Sequence, residues 1–251
     1  MVSAYQSQMG ITLGQIKVDE KSNEITAIPK LLDSLDVKGC VITMDAMGCQ
    51  KNIVEKIVEK KAKYVIAVKE NQKGLHEGIK ETIMLCEPTC QYKDIECDHG
   101  RVEERICRVY HDLTAIPGSW HWAGLNAVIE LMCKRFDKTT QTETTCTRYF
   151  ITSIAGRKAA VIANAIRNHW SIENNLHWAL DVTLGEDRSR IRRCNAAENF
   201  SRMRKVVLFL LKQDRKRPGC DIPIERKRKR AARVDAHLER ILLAPPPVET
   251  I

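Results

Sequence analysis

No stretch of the 251-residue chain comes near the roughly 18 to 20 consecutive apolar residues that a membrane-spanning helix needs. The opening segment MVSAYQSQMG lacks the basic stretch and apolar core of a secretory leader, so the chain is expected to work in the cytoplasm, away from any membrane. Neither a GxGxxG turn nor a Walker loop occurs, which speaks against a nucleotide cofactor, and there is no internal repeat to suggest a solenoid. CxxC pairs are missing as well. With no such pair, the loose group Cys86, Cys90, Cys97 and His99 fits no common zinc spacing, and because a secreted disulfide scaffold would be shorter and carry a leader, the ten cysteines read as reduced thiols.

What the chain does have is positive charge. Its 41 Lys and Arg against 32 Asp and Glu leave a formal +9, which favours a polyanionic partner, nucleic acid first, although scattered cations also confer solubility alone. With 43% hydrophobic and 29% charged residues, the composition is that of a globular protein able to bury one large core or two smaller ones.

Two strand-like runs, Val2 to Tyr5 and Ile11 to Val18, flank a polar turn with Gly10 and read as a hairpin. A helix is expected from about Thr26, with Thr26 as its cap, Pro29 in the first turn, and Leu31, Leu32 and Leu35 inward. Cys40 to Met44 is a nearly continuous apolar run of the kind covered on both faces, and it ends in Asp45. A helix from about Gln50, a buried strand Tyr64 to Val68 and a helix from about Gln72 then alternate as in an α/β sheet. Val102 to Tyr110, Leu125 to Phe136 and Thr144 to Ser153 look like strands of a β-rich insertion. Ala196 to Lys212 reads as an amphipathic helix with Met203, Val206, Val207, Leu210 and Leu211 inward. The run Arg226 to Arg230 is either a solvated face or a track for a phosphate backbone, and the final APPPVETI is expected to be disordered.

Two acids stand out. At 100° per residue, Ile162, Ala165, Ile166, Ile172, Leu176, Ala179 and Leu180 share one helical face, and Glu173 falls inside that apolar arc. A carboxylate placed there asks for a partner, whether a metal or merely His169 or Arg167. Asp45, at the carboxyl end of its strand, would face the crevice where open α/β sheets gather ligands, or would cap the next turn.

The blocks VITMDAMGCQ, YVIAVKENQ and RNHWSIENNLHWALDVTLGEDRSRIR, in that order, resemble the bacterial insertion-sequence transposases of the ISAs type. These are also known as H-repeat-associated proteins and belong to the DDE transposase superfamily. The likeness runs from about Val2 to Lys212. It implies an α/β, ribonuclease H-like catalytic core with a β-rich insertion, in which Asp45 and Glu173 match the family's second and third catalytic acids and metal ligands. His169 stands where related transposases often carry Arg. Arg167, His169, Trp170 and His177 around the acid, and Arg188, Arg190, Arg192 and Arg193 beyond it, are the expected DNA contacts.

The family's first catalytic Asp lies on a strand before the hairpin, and the chain opens inside that hairpin, so the first core strand is expected to be missing. Asp19 and Glu20 follow the hairpin and cannot replace that acid by order. The resemblance implies a two-metal site for Mg²⁺ or Mn²⁺, here incomplete, since magnesium favours hard oxygen ligands. It divides the chain into residues 1–86, the first part of the core; 87–153, the insertion; 154–213, the helical completion with Glu173; and 214–251, a basic, partly disordered tail. The expected function is a DDE-type transposase that cleaves and transfers double-stranded DNA, acting as a homo-oligomer in the bacterial cytoplasm. The other class is a catalytically inactive DNA-binding or inhibitory remnant.

Overall fold

The computed structural model describes residues 1–18, 23–98, 100–191, 193–217 and 219–243. Strands β1 (Val2–Gln6) and β2 (Ile11–Ile16) lead into α1 (Glu24–Asp33), β3 (Val41–Met44), α2 (Lys51–Glu59), β4 (Lys63–Val68) and α3 (Lys73–Leu85). Then come β5 (Cys90–Asp98), β6 (Arg101–Tyr110), β7 (Ala127–Asp137), β8 (Thr142–Thr152) and α4 (Ala159–His169). Helices α5 (Ala196–Arg215), α6 (Ile224–Ala231) and α7 (Asp235–Leu243) complete the described chain. Two compact units result: residues 18–169 form one, and residues 3–17 with those from Trp170 onward form the other.

The larger unit is a mixed α/β layer structure around a six-stranded sheet of order β3-β4-β8-β7-β6-β5. β3 and β4 pair in parallel and the later strands antiparallel, so the strands after residue 87 continue the sheet that holds β3 and β4. Alternation along β4 explains its burial on both faces. Tyr64, Ile66 and Val68 join a core with Leu32 of α1, Ile53 and Ile57 of α2, and Ile79 of α3. Val65 faces the opposite way, into a second core with Ile129 and with Ile162 and Ile166 of α4.

Three local expectations need correction. The α1 cap is Asn23, whose side chain accepts from the Thr26 amide at 3.3 Å, and Pro29 sits inside the helix rather than in its first turn. Among the described residues β3 is the edge strand; Ile42 and Met44 pack on the core but Val41 is exposed, so the strand is not covered on both faces. β5 carries a weak strand signal because the apolar–polar alternation of CQYKDIECD breaks where Lys93 and Asp94 adjoin. Its charges are matched across the ladder, Lys93 by Glu104 and Glu96 by Arg105 at 3.0 Å, and charge of this kind also protects a sheet edge.

In the smaller unit β1 and β2 form the hairpin as expected, with Gly10 at φ 73° in its turn. Lys205 of α5 donates to Ser3 Oγ at 2.7 Å and to Gln15 Oε1 at 2.6 Å. Leu176, Ala179, Leu180 and Leu208 form the core. α5 buries a different face from the one its hydrophobicity indicates. Leu211 is inward as expected, together with Ser201, Leu208 and Asp214, while Met203, Val206 and Val207 are exposed, since two of the four inward residues are polar and carry no apolar signal. The segment read as a basic tail holds α6 and α7; APPPVETI lies outside the described residues. Among the described residues no helix is long and apolar enough to cross a membrane, and all ten cysteines are free thiols.

Candidate active site

The parallel pairing of β3 with β4 brings the carboxyl ends of two strands side by side. Asp45 follows β3 directly, and Lys69, Glu70 and Asn71 follow β4. These residues, with His76 of α3, line one open cleft of about 690 Å³. Side-chain bonds join the two loops: Asn71 Nδ2 donates to the Ala46 carbonyl and Gln72 Nε2 to the Cys49 carbonyl, both at 2.8 Å. Glu70, Lys69, Asn71 and His76 were not singled out by sequence reasoning. The available signal was positional, because KENQ closes its strand as DAMG closes the strand before it.

Asp45 does cap the single 3₁₀ turn Ala46–Gly48: one carboxylate oxygen accepts from the Gly48 amide at 3.4 Å. The cap uses one oxygen and the carboxylate is exposed, so a second oxygen remains for a ligand. Hard oxygen donors at Asp45 and Glu70 suit Mg²⁺, which typically takes one or two carboxylates and completes its shell with water and substrate phosphate. Among the described residues, no three His, Cys, Asp or Glu side chains converge to hold a metal on their own. Cys49, just behind the loop, is no nucleophile; burial pushes its thiol up to about 12.

Close packing holds this turn. A Cβ on Gly48 would lie 2.8 Å from Met44 Sδ and 2.9 Å from Met44 Cβ, at the end of β3. Gly48→Ala should therefore displace the strand end that carries Asp45 and cost about 1–3 kcal/mol. Urea denaturation checks this; an unchanged midpoint would mean that the turn has room to spare.

Glu173 lies in the other unit and is exposed, not turned into an apolar face; its side chain is 58% accessible, with His177 Nδ1 at 3.9 Å. The reason is backbone geometry. A regular helix ends at His169, and residues Glu173–His177 and Ala179–Thr183 form π-turns, with i→i+5 hydrogen bonds such as Leu184 N to Ala179 O at 3.1 Å. Ile172, Leu176, Ala179 and Leu180 face inward as expected, while the wider turns rotate Glu173 outward. In this unit burial, then the charges of Asp187 and Glu186, raise the carboxyl of Asp181 above its usual range.

The expected DNA contacts fall in different settings. Arg167 is engaged with β5, pairing with Asp94 at 2.8 Å and with Glu96. His169 Nδ1 stands 3.1 Å from Thr43 Oγ1, on the strand that ends at Asp45. Trp170 is 47% accessible and His177 is exposed. Arg188, Arg190 and Arg193 are exposed, and Arg192 lies outside the described residues, as do Asp19, Glu20 and His99.

The profile described as "Transposase DDE domain" matches residues 1–210, and the chain belongs to that family. It is 41% identical over 249 residues to "Putative transposase YncI" of Escherichia coli O157:H7, covering 96% of this chain and 63% of that protein. It is 43% identical over 225 residues to "H repeat-associated putative transposase YhhI" of Escherichia coli K12, covering 86% of this chain and 58% of the relative. The chain thus spans about three-fifths of the length of these curated relatives.

Proposed function

We propose that the chain is the catalytic region of a DDE-type transposase that cleaves and transfers strands of double-stranded DNA with Mg²⁺ or Mn²⁺. The observation that carries this is Asp45, a carboxylate at the carboxyl end of β3 that opens on a cleft, within a family match over residues 1–210. The core is read as ribonuclease H-like, with the strands from β5 onward as the β-rich insertion. Bound metal would activate the attacking oxygen and stabilise the leaving one in an in-line displacement. The chain's own residues have simpler tasks. Asp45, supported by Glu70, would hold a cation at the cleft, and Glu173 would be the third acid of the family set. Arg188, Arg190 and Arg193, exposed beyond Glu173, would contact the phosphates with His177 and Trp170, whereas Arg167 is read as holding β5 in place. More than one copy would act on paired DNA ends in the bacterial cytoplasm.

The test is strand cleavage and joining on a labelled duplex that carries the element's ends, with Mg²⁺ or Mn²⁺. This chain is compared with a version extended to the length of its relatives. Activity in the extended version is the expected result. No product from either version would overturn the reading, and activity in the short chain would remove the need for an upstream acid.

A further inference from the structure

The family match ends at residue 210, and the 33 residues that follow concentrate the molecule's charge. Residues 211–243 hold eleven Lys and Arg against five Asp and Glu, a net +6 out of the whole chain's +9. They are not a solvated tail. Asp214, at the end of α5, has a side chain only 1% accessible and receives Lys227 of α6, itself 0% accessible. Arg240 of α7 donates to both oxygens of the same carboxylate, at 3.1 and 3.2 Å. One buried carboxylate thus clamps three helices together.

The clamp gives α6 a fixed rotation. With Lys227 inward and Ile224 and Ala231 half-buried, Arg226, Lys229 and Arg230 are exposed. At 100° and 1.5 Å per residue these three share an arc of about 100° and about 6 Å of helix axis. Lys229 is paired with Glu225 at 2.7 Å, but both side chains are more than half accessible. Such a surface pair is weak and gives way to a stronger anion.

We propose that the outward face of α6 is a docking surface for the phosphodiester backbone of duplex DNA, with Arg226, Lys229 and Arg230 as the contacts and Asp214 and Lys227 as the residues that orient them. Guanidinium groups match phosphate oxygens in bidentate fashion, and a rigid helix loses little freedom in presenting them. An interfacial membrane helix would carry its apolar side chains against lipid, but Ile224, the one large apolar residue of α6, packs on the core around Leu208. The surface positions DNA without reading its bases. It rests on the proposed DNA-processing function and adds a contact outside the matched domain.

Fluorescence anisotropy of the full chain with a 30-base-pair duplex of arbitrary sequence, across a salt series, tests the proposal. The variant Arg226→Gln/Lys229→Gln/Arg230→Gln should bind more weakly and lower the slope of log affinity against log salt by about 2 to 3, near 0.9 per lost contact. Arg226→Lys/Arg230→Lys should keep most of the slope. Thermal melting of the triple variant should match the parent, because all three side chains are exposed. If the parent binds DNA and the triple variant retains its slope, the α6 surface is wrong while the transposase reading stands. If the parent binds no DNA in any salt, that reading fails too. Binding to vesicles of anionic lipid that depends on the three residues, with DNA binding unaffected, would assign the surface to a membrane and overturn the proposal.

Discussion

Asp214→Ala should destabilise the helical unit by about 3–5 kcal/mol, the loss expected when one partner of a buried ion pair is removed. The mutation leaves Lys227 in the interior with no carboxylate and strands Arg240 beside it. Hydrogen exchange of α6 and α7 amides, or a far-UV melt, reads the effect, and Arg240→Ala should cost less because Lys227 keeps its partner. The same carboxyl sets an acid limit. Burial pushes its pKa up, but hydrogen bonds from Lys227 and Arg240 outweigh this and hold it below the usual carboxylate range. Its stabilisation is therefore complete above the unfolded value of about 3.9 and is lost as pH falls through the lower folded value. The three helices should open in that acid window, and Asp214→Ala should flatten the pH dependence. A change in stability below about 1 kcal/mol would show that the cluster is solvated in solution and does not clamp the helices.

Asp45→Asn should separate chemistry from structure. Asn accepts a hydrogen bond at a cap as well as Asp does, so the bond from Gly48 can persist and the melting temperature should stay within a degree or two. The negative oxygen is lost. Residues one shell removed from a metal typically cost 10–100-fold when mutated, so if Asp45 is the ligand proposed above, its loss should reduce strand cleavage by the protein extended to the length of its relatives about 100-fold or more. Glu70→Gln should have a smaller effect if Glu70 only supports the cation. Full activity in Asp45→Asn would reduce Asp45 to a turn residue, the other reading its position allowed.

Much of this was legible in order along the chain. The hairpin, the buried run that becomes β4, the helices on either side of it and the acid closing β3 all announce themselves through local periodicity and turn residues. Asp45 was visible because a strand end is a local feature. Glu173 was visible as an acid, yet its exposure was misjudged, because a 3.6-residue period was assumed across a segment that folds in π-turns. α5 misled for a related reason. Its inward face includes Ser201 and Asp214, and a polar residue at a buried position has no apolar signature.

The sequence by itself determined the family and the α/β alternation, because both depend on neighbours along the chain. Tertiary structure alone decided which charges meet. Glu70 shares a cleft with Asp45 only because β3 and β4 pair in parallel, β5 is held by Arg105 and Arg167 from other elements, and Lys227 turns from a basic run toward Asp214 thirteen residues earlier. Burial makes a charge either costly or clamped, and burial is a property of distances through space, which no local pattern of residues specifies.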